Sequence, residues 1–212
     1  MAYLVKTPWW LSRLFYCHLN WKMPQGEKPS VYLTFDDGPH PTITPFVLDQ
    51  LKEYNAKASF FCIGNNVVKH TDVYNRTLAE GHTVGNHTYN HMNGWFTKTE
   101  TYINDVDKAA KHINSKLFRP PYGRIKRSQA NRLMSKRPAY YIYMWDVLSG
   151  DFDTMLPPEQ CLANVLDNIE PGSIIVFHDS EKAWDRMSYA LPKVLAHCQQ
   201  KGWDMKALPK HE

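Results

Sequence analysis

The chain predicts an α/β protein built on a parallel sheet, and three observations carry that expectation. Apolar, β-rich runs alternate along the chain with segments whose apolar residues recur every three or four positions. The runs are nearly continuously apolar, as strands covered on both faces are. Clusters of Asp, His and Arg follow these runs, at the strand ends where α/β proteins gather their functional groups. Either an open doubly wound sheet or a closed (β/α) barrel satisfies the alternation; periodicity does not choose between them.

Residues 1–28 read as an aromatic and basic appendage to a single domain at 29–212. Trp9, Trp10, Leu11, Leu14, Phe15 and Leu19 form an apolar stripe beside Lys6, Arg13 and Lys22. Such a stripe either packs on the domain or lies in the headgroup region of a membrane, which favours Trp and basic side chains. The first strand covers 31–35 and stops at Asp36-Asp37-Gly38-Pro39, a turn sequence. A helix follows, with Ile43, Phe46, Val47, Leu51 and Tyr54 on one face. The unit then repeats as a strand at 58–64, a helix over 67–78 and a short strand at 81–85. Tyr102, Ile103, Val106, Ala110 and Ile113 define the next helix, and Leu117-Phe118 a strand that runs into Arg119-Pro120-Pro121-Tyr122-Gly123. Strands are expected at 140–145 and 173–177, then a helix opened by Pro192 and closed by Gly202, and a last strand at 203–208.

Composition narrows the class. The 212 residues are 43% hydrophobic and 22% charged, which excludes a disordered or fibrous chain. A formal charge of +4 and a pI near 8.8 are too mild to indicate a nucleic-acid partner, and none is expected. Cys17, Cys62, Cys161 and Cys198 contain no C-x-x-C pair, so they are read as reduced thiols, mostly in the core. No stretch resembles a membrane span, and Ser12-Arg13 interrupts the only apolar run near the N-terminus, so no signal peptide is expected. Residence in the cytoplasm is therefore the expectation, with peripheral contact at the inner membrane face through 1–28. Between 116 and 137 stand eight Lys and Arg without an Asp or Glu. They form either a solvated helix face or an attractor of an anionic glycan or lipid phosphate.

The polar clusters carry the chemistry. A carboxylate and two imidazoles supply three ligands to Zn²⁺ and leave a coordination position free, as catalytic zinc sites require. His87 and His91, four residues apart, and one carboxylate of the Asp36-Asp37 pair meet that need. Adjacent residues at a strand end point in different directions, so the second Asp is free to act as a base, and a distant His is available as the acid.

Five motifs occur in order: Thr34-Phe35-Asp36-Asp37-Gly38-Pro39, Gly85-Asn86-His87-Thr88-Tyr89-Asn90-His91, Arg119-Pro120-Pro121-Tyr122-Gly123, Trp145-Asp146 through Asp151, and Val176-Phe177-His178-Asp179. On these the chain resembles the polysaccharide deacetylase (NodB-homology) family of carbohydrate esterases across about 29–208. The resemblance implies a distorted (β/α) barrel, with 29–212 as its catalytic domain. It implies Asp36 as general base, Asp37, His87 and His91 as ligands of one divalent metal, and His178 as general acid. Zn²⁺ is preferred over Fe²⁺, Co²⁺ or Ni²⁺. Arg119 would orient the base, the Tyr122 backbone N–H would meet the oxyanion, and Asp151, or else Asp146, would hold His178. Phe152 stands where the family usually has Trp, which alters one wall of the expected sugar pocket.

The implied activity is hydrolysis of an N-acetyl group on an N-acetylglucosamine-containing glycan such as peptidoglycan, chitooligosaccharide or a related precursor. The same apparatus suits a non-sugar amide or an O-acetyl ester, and an inactive carbohydrate-binding relative is the reading from another class. Trp95, Phe96, Tyr122, Trp145 and Trp184 are the aromatics available to sugar faces, Tyr122 and Trp145 foremost.

Overall fold

A computed structural model describes residues 3–11, 13 and 18–211. Leu14 and Phe15 of the N-terminal stripe, and Cys17, lie outside the described residues. The fold is a curled parallel sheet wrapped by helices, the distorted barrel expected. Its centre is β1 (Ser30–Asp36), in which Val31, Leu33 and Phe35 are fully buried. On one side β1 pairs with β2 (Ser59–Cys62), which is followed by β3 (Thr83–Asn86), β4 (Leu117–Phe118) and β5 (Tyr141–Ile142). Its other side pairs with β7 (Ile174–His178), which is followed by β6 (Val147–Leu148), and β8 (Asp204–Met205) joins the start of β1. These strands pair in parallel throughout. All strand ends that carry chemistry therefore lie along one edge of the sheet.

Helices α1 (Ile43–Glu53), α6 (Pro158–Leu166) and α7 (Trp184–Gln200) bury Val47, Leu48, Leu51, Cys161, Val165, Leu191, Val194 and Leu195 in a cluster that includes Val31, Leu33, Phe35 and Phe177. A second cluster joins α4 (Thr99–Ala110) and α5 (Arg127–Met134) to β4 and β5 through Tyr102, Ile103, Val106, Phe118, Leu133 and Ile142. Cys62, Cys161 and Cys198 are free and buried.

The N-terminal segment lies against both outer strands. Leu148 donates to the carbonyl of Val5, and Thr7 to that of Asp146, at 2.8 and 2.9 Å. At the other end Asn20 donates to Ile142 and accepts from Met144. These bonds occupy sheet edges that would otherwise be open. Leu19 is buried, whereas Trp9 and Trp10 are 70% and 44% exposed. No helix among the described residues is long and apolar enough to cross a membrane.

Four expected elements differ in the structure, and β6 and α6 are elements that the sequence pattern did not assign. The helix expected over 67–78 is two, α2 (Gly64–Lys69) and α3 (Thr71–Ala79), broken at His70, whose ψ of 51° is not helical. Of the strand expected at 140–145 only Tyr141–Ile142 pairs regularly, because the carbonyls of Tyr143 and Met144 accept hydrogen bonds from the Arg119 side chain. The last strand contracts to Asp204–Met205. Finally, α7 begins at Trp184 and carries Pro192 in its interior, where an opening position was expected. Met187, Ala190, Leu191, Val194, Leu195 and Cys198 form one buried face through the proline, and that packing overrides the local break.

In the basic stretch, Arg132 meets Glu100 at 3.1 Å and Lys136 meets Asp107 at 2.7 Å, so part of its charge ties α5 to α4.

Because Pro192 leaves a helix carbonyl without its donor, Pro192→Ala is expected to stabilise the domain, by about 1–3 kcal/mol on general helix energetics. Urea unfolding checks this; a lower midpoint would mean that the proline ring is needed in the packing.

Candidate active site

The site begins with a charge in the interior. Arg119, directly after β4, is fully buried with its guanidinium 4.1 Å from the centre of the Phe61 ring. Its Nη1 donates to Asp36 Oδ1 at 2.8 Å and to Thr34 Oγ1 at 2.6 Å. Nε and Nη2 donate to the carbonyls of Tyr143 and Met144 at 3.2 and 2.8 Å. Burial lowers the Arg119 pKa, and the Asp36 carboxylate opposes that effect. Asp36, 3% exposed at the end of β1, is thus oriented by a guanidinium whose three nitrogens each have an acceptor.

Asp37, His87 and His91 converge beside it, with one ligand atom of each within 4.8 Å of the others. His87 Nδ1 lies 2.7 Å from the carbonyl of Arg119, which can only accept, so the ring carries its proton there and turns Nε2 towards Asp37. Burial pushes the His87 pKa down to about 4, so this imidazole is neutral and Nε2 has a bare lone pair. Asp37 Oδ1 is buried without a hydrogen bond of acceptable geometry, 3.1 Å from His91 Nε2 and 3.7 Å from His87 Nε2. Burial works against ionising Asp37, but His91, His178 and His87 together outweigh it and hold the carboxyl well below its usual range. An orphaned carboxylate oxygen facing two imidazole nitrogens is a donor set that a divalent cation completes.

The backbone there is strained. Asp37, Thr88, His91 and Tyr122 have φ of 80°, 63°, 55° and 60°, four of the five positive values at non-glycine positions among the described residues. Two buried carboxylates hold the turn at Asp37 and the turn from Thr88 to His91. Asp105 of α4 accepts the N–H groups of Tyr89 and Asn90 at 2.8 and 2.9 Å, between the two histidines. Asp179 accepts the Gly38 N–H at 2.9 Å and the Thr44 hydroxyl, and its own N–H donates to the carbonyl of Asp36 at 3.1 Å. A Cβ on Gly38 would fall 2.0 Å from Asp179 Oδ2, so only glycine admits this contact. The Asp37 carbonyl accepts from the Asn66 side chain and that of Gly38 from Ile63 N–H.

His178 ends β7 in register with Asp36 of β1. Its Nδ1 is 2.7 Å from Asp151 Oδ1, and its backbone N–H donates to Asp151 Oδ2 at 2.7 Å. Burial disfavours the imidazolium, but Asp151 by charge and hydrogen bond, then Asp37 and Asp36, raise the His178 pKa to about 10. Of the two aspartates open to that position, Asp151 makes the contact. Asp146 instead pairs with Lys6 at 2.7 Å and accepts from Ser173.

The remaining expected residues line the rim. Tyr122 is 59% exposed with its ring 4.6 Å from that of His91. Trp145 is partly buried against Gly123, and Phe152 stands edge-on to His178 at 5.4 Å while also touching Tyr3. Asp105, Asp179 and Asn66 were missed as positioning residues. Asp179 adjoins a quoted His, but nothing in the spacing ties Asp105 or Asn66 to the site.

A family model described as polysaccharide deacetylase matches residues 24–137. The chain is 34% identical to a peptidoglycan-N-acetylglucosamine deacetylase of Bacillus cereus, over 88% of this chain and 89% of that relative. It is 35% identical to a chitooligosaccharide deacetylase of Azorhizobium caulinodans, over 85% of this chain and 93% of the relative. The solved structure of the Bc1960 peptidoglycan N-acetylglucosamine deacetylase superposes with a TM-score of 0.85 at 32% identity, covering 96% of this chain and 95% of that one. A curled parallel sheet that presents an Asp–His–His cluster beside an ion-paired carboxylate and a carboxylate-backed imidazole defines a hydrolase-like α/β domain. The chain belongs to the polysaccharide deacetylase family.

Asp105→Ala and Asp179→Ala should each weaken divalent-cation binding by roughly 10- to 100-fold, the usual cost of losing a group that orients ligands. Chelator competition measures it; an unchanged affinity in both variants would leave these carboxylates a purely structural role. In metal-free protein, a folded His178 pKa of about 10 against 6.5 unfolded gives stability fully present below pH 6.5 and lost as pH rises through 10. NMR titration of the His178 ring should show the imidazolium persisting above pH 8 and, in Asp151→Asn, titrating at least two units lower.

Proposed function

We propose that the chain is a metal-dependent hydrolase that removes N-acetyl groups from N-acetylglucosamine-containing glycans. The observation that carries this reading is the side-by-side arrangement of Asp36, paired with Arg119, and His178, paired with Asp151, next to the Asp37–His87–His91 cluster. The names of the relatives, peptidoglycan N-acetylglucosamine and chitooligosaccharide deacetylases, support the same substrate class.

Asp37, His87 and His91 would hold one divalent cation, and one carboxylate oxygen with two imidazole nitrogens favours Zn²⁺, with Fe²⁺, Co²⁺ and Ni²⁺ as alternatives. When bound, the cation supplies Lewis-acid polarisation of the acetyl carbonyl and acidifies water. Asp36 takes the proton of the attacking water, and Arg119 keeps its carboxylate aimed. The C–O bond forms, and the Tyr122 backbone N–H donates to the developing oxyanion from its left-handed turn. His178, protonated because Asp151 backs it, donates to the amine nitrogen as the C–N bond breaks, giving acetate and a free amine. Trp145 and Phe152 flank the bound sugar.

Acetate release from N-acetylated chitin oligomers and from peptidoglycan fragments tests the reading. Activity is expected to vanish with EDTA and to return with Zn²⁺. Asp36→Asn should keep the metal but lose turnover by roughly 10²- to 10⁴-fold. Near-normal turnover of that variant would assign the base elsewhere, and activity on simple acetate esters alone would replace the amide reading. The Bc1960 structure is a complex with an N-hydroxybenzamide, a metal-chelating group. That compound is expected to inhibit this chain competitively with glycan.

A further inference from the structure

Residues 3–7 run along the outer edge of β6 and reach the catalytic rim. Lys6 bridges Val147 in the antiparallel sense, between the bond from Leu148 to the Val5 carbonyl and that from Thr7 to Asp146. Side chains fasten this strap as well. The Thr7 hydroxyl donates to the carbonyl of Trp145 at 2.8 Å, and Lys6 Nζ donates to Asp146, the Asn168 carbonyl and Glu170 at 2.7, 2.8 and 2.9 Å. Because β6 runs towards the catalytic edge of the sheet, its antiparallel neighbour begins there. Continuing the register by three residues on each strand sets Tyr3 opposite Gly150, just before Asp151.

Tyr3 is fixed at that position through both its hydroxyl and its ring. Burial and the Asp153 carboxylate raise its pKa, so the phenol stays protonated and donates to Asp153. A Cβ on Gly150, whose φ is 79°, would fall 2.6 Å from Tyr3 Oη, so the phenol rests directly on the loop backbone. The Tyr3 ring lies 5.1 Å from that of Phe152, tilted by 58°. Phe152 in turn stands edge-on to the His178 ring at 5.4 Å. Both separations fall within the range of favourable aromatic contacts.

The backbone of the loop is held without Tyr3. The carbonyls of Ser149 and Asp151 accept from the Asn164 side chain and from Arg186 Nε at 2.9 and 2.7 Å. The N–H groups of Asp153 and Leu156 donate to the carbonyls of Gly150 and Asp153, both at 2.9 Å. What the strap adds is therefore the position of the Phe152 ring, not that of the Asp151 carboxylate.

We propose that Tyr3 is a positioning residue for the general acid: presented by the antiparallel strap, it holds the Phe152 ring against the His178 imidazole and so keeps that imidazole aimed at the leaving amine. This rests on the acid role of His178 given above and extends the catalytic unit to a residue of the N-terminal segment.

The test compares metal-loaded wild type, Tyr3→Ala and Tyr3→Phe on tetra-N-acetylchitotetraose and on 4-nitrophenyl acetate, whose phenolate leaves without a proton from the enzyme. In Tyr3→Ala, kcat for the tetramer is expected to fall about tenfold, as misplacing a proton donor does, with KM within about twofold of wild type. Turnover of 4-nitrophenyl acetate should stay at the wild-type level. Tyr3→Phe keeps the ring and should recover most of the lost kcat. Proton NMR of the His178 ring gives a readout without turnover: the ring-current shift from Phe152 should change in Tyr3→Ala and not in Tyr3→Phe. If Tyr3→Ala does not fold, Tyr3→Leu, which keeps apolar cover on the loop without the ring, is expected to give the same split. Equal losses on both substrates would reduce Tyr3 to a structural role and overturn the proposal. So would a rise in KM alone, the mark of a sugar contact, or an unchanged kcat with unchanged ring shifts. Absence of acetate release from the tetramer by wild type, with the ester still cleaved, would instead overturn the deacetylase reading, and the ring shifts would still decide whether Tyr3 sets Phe152.

Discussion

A guanidinium in the centre of a parallel sheet is the constraint around which this molecule is arranged. Stripping an ion of water costs several kcal/mol, and Arg119 recovers that only because Asp36, Thr34 and two carbonyls after β5 accept from it while Phe61 covers its face. The consequences reach most of the sheet. The carbonyls of Tyr143 and Met144 are drawn out of regular pairing, so β5 is short, and the Arg119 carbonyl fixes the ring of His87. One residue therefore orients a carboxylate, sets a tautomer and shapes an edge of the barrel.

Around that centre the active groups are held by bonds to the backbone. In the turn that bears Asp36 and Asp37, the carbonyls of Asp36, Asp37 and Gly38 and the N–H of Gly38 are bound by Asp179, Asn66 or Ile63. Asp105 does the same for the segment between His87 and His91. Left-handed conformations at Asp37, Thr88 and His91 persist because these partners hold the turns that contain them. Four of the five left-handed non-glycine residues among the described residues stand at the edge of the sheet where the chemistry lies, while β1, β2 and β7 beneath it are ordinary buried strands.

Two pairs of charges divide acid from base. Asp36 faces a cation and His178 faces an anion, although the two sit side by side in register. The Asp151 carboxylate favours the imidazolium of His178, while Asp36 is held as the ion-paired partner of Arg119. Asp151 is wholly buried, so its charge acts on the imidazole with little screening.

Parallel α/β architecture was legible in the sequence, because strands covered on both faces must be apolar and their crossovers must be amphipathic. So was the gathering of Asp36, Asp37, His87, His91, Arg119 and His178, since each stands at a strand end and the parallel order brings those ends together. What local pattern does not encode is long-range partnership. The choice of Asp151 over Asp146 for His178 depends on Lys6 and Ser173 claiming Asp146. The continuity of α7 through Pro192 depends on a buried face that outweighs one missing hydrogen bond. Asp105 and Asn66 serve turns distant in sequence, and nothing in their own neighbourhoods says so. The sequence by itself determined which side chains stand at the strand ends; the tertiary structure decided which of them touch, because a hydrogen bond depends on distances that only the packed sheet establishes.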